Sequence, residues 1–104
     1  MKTVVDLTVY NRILEFYSRV ALAHPNPFDF FDIHRQSLKV YVDLVELCGK
    51  YTLPHVPRIK QWRDAGYLEL FCIKSGWCFG YTIEVIDGVP IRHIRVCEKS
   101  ENIR

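Results

Sequence analysis

Asp87-Gly88, set between Val85-Ile86 and Val89-Pro90-Ile91, constrains this chain more than any other pair of residues. Asp-Gly accepts the positive φ angles of a two-residue type I′ turn, whose twist matches that of the strands it joins. The hairpin register follows. Ile86 faces Val89, and the pairs continue Glu84–Ile91, Ile83–Arg92, Thr82–His93, Tyr81–Ile94, Gly80–Arg95, Phe79–Val96 and Cys78–Cys97. Successive side chains point to opposite faces of a strand. Phe79, Tyr81, Ile83 and Val85 therefore share an apolar face with Ile94 and Val96. Cys78, Gly80, Thr82, Glu84, His93, Arg95 and Cys97 form the opposite, polar face.

Ser75-Gly76 marks a second turn, between YLELFCIK and WCFGYTIEVI. A two-residue loop there places Leu68, Leu70 and Cys72 on the apolar face and Tyr67, Glu69 and Phe71 on the polar one. A longer loop over Lys74-Ser75-Gly76 would turn Leu68 and Leu70 toward water, and burial pins the register against it. The prediction is a three-stranded meander over residues 67–98. It carries a polar row Glu69–Thr82–His93 across three strands, with Phe71–Gly80–Arg95 beside it.

The upstream half reads as a cover for the apolar face. Lys2 to Leu7 is short and β-branched, a first strand suited to a sheet edge. Thr8 or Asn11 is a cap for the helix that follows. Ile13, Phe16, Tyr17, Val20 and Ala21 recur at helical spacing, and His24-Pro25-Asn26-Pro27 stops them. Phe28 to Ile33 is ambiguous, with Asp29 and Asp32 as further caps. A second helix runs to Leu47 or Cys48, with Leu38, Tyr41, Val42, Val45 and Cys48 as its inner face, broadened by Val40, Leu44 and Leu47. Gly49 suits a left-handed C-cap. Tyr51 to Pro57 is a connector, and Arg58 to Arg63 is a basic stretch leading into the meander. The predicted order is β-α-α-β-β-β. The expected fold is one α+β domain over residues 1–104, an αα-hairpin packed on a mostly antiparallel four-stranded sheet.

Totals exclude several classes. A chain of 104 residues holds one core, and 49% apolar with 25% charged residues is the balance of a globular domain. The net charge of +2 is weak, but Lys and Arg concentrate after residue 57. No apolar run approaches the ~18 residues of a membrane span, and the N-terminus lacks a signal-peptide core. A cytoplasmic location with reduced thiols is therefore expected, the cysteines showing no CxxC spacing. A zinc site from Cys78, Cys97 and His93 is set aside, because strand cysteines more often serve as small buried apolar residues. No metal or organic cofactor is expected.

Over residues 54–104 the chain resembles the RelE/ParE superfamily of small bacterial toxins from toxin–antitoxin pairs. Arg58 to Lys60 and Trp62 stand where those proteins carry a "vKkL" stretch, and Gly66-Tyr67-Leu68-Glu69-Leu70 looks like their "GlyEL" strand. Trp77 to Glu84 stands at their "yRvlY" strand, and Glu98-Lys99-Ser100 at their terminal "KKS/T" motif. Residues 1–53 match in helix-hairpin layout only. The resemblance implies a RelE-like fold, a cognate antitoxin as partner, and either cleavage of messenger RNA on the ribosome or, as in the ParE branch, inhibition of DNA gyrase. Phe71, Gly80 and Glu98 fall where the family carries basic residues.

Cleavage of RNA by that route needs a base for the 2′-OH, an acid for the leaving oxygen and cations for the phosphate. His93 has the intrinsic pKa for proton transfer, and Arg95 projects from the same face to hold a phosphate. Glu69 completes the expected catalytic set as orienter or base. Arg58, Lys60, Arg63 and Lys99 are the expected RNA-backbone contacts, and Phe71, a large apolar residue on the wet face, the expected base-stacking platform. His93, Arg95 and the basic stretch favour a ribosome-dependent endoribonuclease. The missing family cations favour a non-catalytic binding protein on the same fold.

Overall fold

The computed structural model describes residues 1–23, 30–50 and 54–103, residues 30 and 31 by backbone alone. The elements run β1 (Lys2–Val5), α1 (Leu7–Ala23), α2 (Phe30–Cys48), α3 (Lys60–Asp64), β2 (Leu68–Cys72), β3 (Trp77–Ile86) and β4 (Val89–Lys99), with a 3-10 turn at Ser100–Asn102. The strand order is β1-β4-β3-β2. β1 runs parallel to β4, and the other two pairs are antiparallel. The chain is thus an α+β protein with a mixed four-stranded sheet. The predicted proline corner at 24–27, the Asp29 cap and residues 51–53 of the connector lie outside the described residues. Among those described, no helix is long and apolar enough to cross a membrane.

The core lies between the helical pair and one sheet face. Val9 and Ile13 of α1 and Val40 and Leu44 of α2 pack on Leu70, Cys72, Trp77, Phe79, Tyr81, Ile94 and Cys97. Trp77, Phe79 and Ile94 are completely buried, and each large side chain of this kind stabilises by about 1.5–3 kcal/mol through area removed from water. Phe16 meets Trp77 edge-on at 5.3 Å, and the Trp77 indole donates to the Tyr17 hydroxyl at 3.3 Å. Tyr81 is buried as expected, and burial pushes its phenol pKa up.

The Asp87-Gly88 hairpin forms with both residues at positive φ, 51° and 78°. Its predicted register holds from Ile86–Val89 through Thr82–His93 to Tyr81–Ile94. Beyond that point it departs. Gly80 pairs with Val96, Phe79 with Cys97 and Cys78 with Glu98, so Arg95 is an extra residue in β4, a bulge. Cys97 consequently turns into the core and Val96 turns out of it. Gly80 makes this possible: a Cβ there would lie 2.6 Å from Val96 Cγ2, 3.1 Å from Trp62 and 3.2 Å from Tyr67. The second face is therefore not open. α3 lays the buried Trp62 across it.

The β2–β3 loop is also longer than predicted. Cys72 pairs with Trp77, and residues 73–76 form a four-residue turn closed by Gly76 N–H donating to the Cys72 carbonyl at 2.8 Å, with Gly76 at φ 74°. The pairing slips by two residues, which preserves the faces: Leu70 and Cys72 are buried toward the helices. It does break the expected row, because Glu69 lies opposite Gly80 rather than Thr82.

Three helical details differ as well. Asp6, not Thr8 or Asn11, caps α1, its carboxylate accepting from the Thr8 backbone N–H at 3.0 Å and the Thr8 hydroxyl at 2.9 Å. Gly49 ends α2 without a positive φ, its N–H donating to the Val45 and Glu46 carbonyls. Finally, α2 is rotated from its predicted orientation. Val40 and Leu44 face the core, whereas Leu38, Val42 and Val45 face outward. Two polar residues occupy the inner side and are satisfied there. The Ser37 hydroxyl donates to the Ile33 carbonyl, and Asp43 pairs with Lys39 at 3.2 Å and Lys74 at 3.8 Å.

The close packing over Gly80 generates a stability prediction. Gly80→Ala should destabilise by about 1–3 kcal/mol through overpacking against Val96 and Trp62. Adding Val96→Ala should recover part of that loss. Urea titration of the two variants checks it; a neutral Gly80→Ala would contradict the packing.

Candidate functional site on the polar face

Above the bulge, β3 and β4 present Thr82, Glu84, His93 and Arg95 on the face away from the helices, and β1 adds Asp6 at its end. Asp6 arrives because β1 lies alongside β4, with Val4 level with His93 and Val5 with Ile94, and because the Asp6 N–H donates to the Ile94 carbonyl at 2.9 Å. His93 stands between two carboxylates. Its Nδ1 is 3.2 Å from Glu84 Oε1, and its Nε2 is 3.8 Å from Asp6 Oδ2. Arg95 donates through Nε to the Thr82 hydroxyl at 2.9 Å, and its terminal nitrogen bonds the same Glu84 oxygen that meets His93. Glu84 thus bridges the imidazole and the guanidinium.

His93 and Arg95, both expected site residues, are brought together. Glu69, the third expected catalytic residue, is not with them. It is buried beneath the α3 side of the sheet, its Oε2 3.5 Å from Arg58 Nε and its Oε1 buried with no partner among the described residues. Arg58 also donates to Cys78 Sγ at 2.8 Å and lies 5.7 Å from the Phe71 ring centroid. Burial raises the Cys78 thiol pKa, reinforced by Glu69 and opposed by Arg58. This second cluster, Arg58–Glu69–Phe71–Cys78, holds two of the five expected RNA contacts. Lys60 is paired with Asp64 at 2.8 Å, Arg63 donates to the Pro57 and Arg58 carbonyls, and Lys99 donates to the Ser75 carbonyl at 3.0 Å. Cys78 and Cys97 sit on opposite faces, so with His93 they form no common ligand set.

Two residues of the polar cluster were not singled out from the sequence. Glu84 was placed on the correct face, and as the diagonal neighbour of His93 across the hairpin it was within the reach such pairs have. Asp6 carried no such signal, since its position depends on a parallel pairing between residues almost ninety positions apart in the chain.

Chemically, a carboxylate hydrogen-bonded to a His ring nitrogen is the arrangement that orients an acid–base group. The charge balance works the other way for phosphate. Asp6 and Glu84 meet one permanent cation, Arg95, whose fork is already occupied by Thr82 and Glu84. A phosphate entering here would have to displace Glu84 from Arg95.

Asp6 supplies a pH test. Its carboxyl pKa is lowered, first by the Thr8 backbone N–H and then by the Thr8 hydroxyl, with smaller help from His93 and Arg95. A carboxyl lower in the folded chain than its unfolded value of about 3.9 stabilises fully above that value, and the contribution is lost as pH falls through the folded value. Asp6→Asn keeps a helix cap but removes the titration. The wild type should therefore lose stability more steeply than Asp6→Asn as pH falls below about 4 in urea titrations. Identical acid limbs would contradict the cap.

No family model matches the chain, and no curated protein or solved structure matches it.

Proposed function

We propose that the chain is a toxin-type protein on the RelE/ParE pattern that works by binding a protein partner, its cognate antitoxin, rather than by cutting RNA. The observation that supports this reading is the outward stripe of α2. Leu38, Val42 and Val45 are 54%, 53% and 51% exposed at helical spacing, and Leu7 nearby is 72% exposed. Two cavities of about 350 Å3 border the stripe, one including Leu7, Tyr10 and Leu38, the other Tyr41, Val45 and Cys48. An apolar row of this kind on a small domain fits a protein contact, and an amphipathic segment of an antitoxin is the occupant whose spacing matches it.

The polar face supports the same reading, because its cations are held by its own carboxylates. One feature favours the other reading, a ribosome-dependent mRNA endoribonuclease: the 3.2 Å contact between Glu84 and His93, which would orient a proton-transfer group.

The two readings separate experimentally. Binding predicts that purified protein leaves ribosome-bound messenger intact. It also predicts that His93→Gln and Arg95→Ala retain the complex with the protein encoded by an adjoining antitoxin-like frame. Val42→Asp, at an exposed position, should weaken that complex more than about tenfold while the fold persists. Cleavage of the message by wild type, reduced about 10²–10⁴-fold in His93→Gln, would establish the nuclease instead.

A further inference from the structure

β3 outruns the strand on one side of it. It pairs with β4 along its whole length, Trp77–Ile86, but β2 accompanies it only from Trp77 to Tyr81. Residues 82–86 therefore have an open edge, with no strand or isolated bridge against it among the described residues. The pairings fix where the backbone groups on that edge point, because residues of an antiparallel strand alternate between bonding a neighbour and pointing away from it. In β2 the Glu69 N–H points outward, donating to the His55 carbonyl, so Leu68 is the residue that bonds across to β3, at Tyr81. Odd-numbered residues of β3 thus face the β2 side. Even-numbered ones bond β4, in which Pro90, lacking an N–H, lies opposite Val85. Past Tyr81, the N–H and C=O groups of Ile83 and Val85 point into the open edge with no backbone partner among the described residues.

This edge is also unguarded. Edge strands are kept from pairing by shortness, lysine, proline, a bulge or a covering segment. β1 has four residues and starts at Lys2, and the outer edge of β2 is met by His55. Residues 82–86, TIEVI, have none of these devices, and the bulge lies in β4. Both faces of the arm are apolar near its tip. Ile83 and Val85, on the helical side, are 46% and 70% exposed; Ile86 and its partner Val89, on the other, are 51% and 52% exposed. The one charge on the edge, Glu84, is taken by His93 and Arg95.

We propose that this edge pairs with the same edge of a second copy of the chain, joining two four-stranded sheets into one across a two-fold axis. An antiparallel edge is self-complementary, and the two-fold contact consumes both edges, so assembly stops at a dimer. Because Glu84 is compensated within the chain, the edge offers a foreign segment no charge to select it. A second copy brings the same apolar side chains and the same unbonded groups. Two constraints choose the register. Centring on Glu84 would set like charges directly opposite, which is destabilising, and would drive the second copy's turn against Tyr81, where Leu68 already pairs. Centring on Val85 avoids both: each Val85 forms a hydrogen-bonded pair with its counterpart, and Glu84 lies opposite Ile86. Four half-exposed side chains supply less than the roughly 800 Å2 per partner of a standard interface, so the dimer is weak and concentration-dependent. It is separate from the α2 stripe and requires no antitoxin.

Sedimentation equilibrium of the whole chain alone, from about 1 μM to about 1 mM, reads the association. Wild type should pass from monomer to dimer and no further. Val85→Lys, at an exposed position, should keep the fold by circular dichroism and weaken the dimer about tenfold, since it sets like charges face to face and removes apolar contact. Val85→Glu should do the same, and an equimolar mixture of the two variants should associate more tightly than either alone. Amide exchange gives a second reading. The Ile83 and Val85 N–H groups should exchange fast in dilute solution and become protected at high concentration, while that of Glu84 is protected in both. A wild type monomeric throughout, assembly beyond two, a dimer untouched by Val85→Lys, no recovery on mixing, or concentration-independent exchange at Ile83 and Val85 would overturn the proposal. So would a dimer lost in Val42→Asp alone, which would place the contact on α2, or a monomeric wild type whose antitoxin complex fails in Val85→Lys, which would give the edge to a foreign strand.

Discussion

One extra residue in β4 decides which side chains meet in this molecule. Arg95 has no partner of its own in the β3–β4 pairing, and on either side of it the strand presents its residues with opposite parity. Toward the hairpin, Arg92 and Ile94 face the helices while His93 and Arg95 face away. Toward the C-terminus, Cys97 faces the helices, its thiol 3.5 Å from the Val9 carbonyl, and Val96 packs near Trp62 and Tyr67. A straight ladder would put Val96 in the core and Cys97 outside it. The glycine at position 80 is the residue that admits the offset, because nothing larger fits between Val96, Trp62 and Tyr67. Bulges re-aim side chains and sharpen twist, and here the bulge turns one strand into the wall of two different environments.

Those environments divide the charges. On the outer face, His93 and Arg95 share Glu84, and Asp6 closes the group. The group is internally compensated. A surface arranged this way keeps its groups in fixed orientation but has little attraction left for a polyanion, in contrast to the surplus of cations that phosphate recognition needs. On the inner face, Arg92 has the reverse situation, a permanent cation with no paired anion among the described residues. The unpaired cation therefore lies on the side of the sheet that sequence patterning assigns to the core, and the compensated cluster of His93, Arg95 and two carboxylates on the other.

Much of this was legible in the residues. Asp87-Gly88 specified the hairpin, and its register was correct for as long as the ladder stayed regular, down to Tyr81–Ile94. The faces of β2 survived a wrong loop length because a slip of two preserves parity, whereas the cross-strand row through Glu69 did not survive it. The bulge had one faint signal, Gly80 in mid-strand, where a glycine marks a bulge or a close backbone approach. The rotation of α2 was not legible for a physical reason. Residues 38, 40, 41, 42, 44, 45, 47 and 48 are all apolar, so the helix is apolar around much of its girth and periodicity cannot choose a face. The choice fell to tertiary packing, and the polar residues on the winning side, Ser37 and Asp43, are tolerated because a backbone carbonyl and two lysines satisfy them. Of the site, His93 and Arg95 were found together, Glu69 was misplaced by the loop, and Asp6 depended on a parallel pairing that no local pattern announces.

The bulge is the claim on which the core boundary at Val96 and Cys97 and the role of Gly80 rest, and a NOESY spectrum of the folded protein tests it directly. The bulged register predicts contacts from the Val96 methyl groups to the Trp62 and Tyr67 rings, and from the Cys97 side chain to Val9. Contacts from Val96 to Val9 or Leu44, with Cys97 lying opposite Cys78, would mean a regular ladder and would contradict the account.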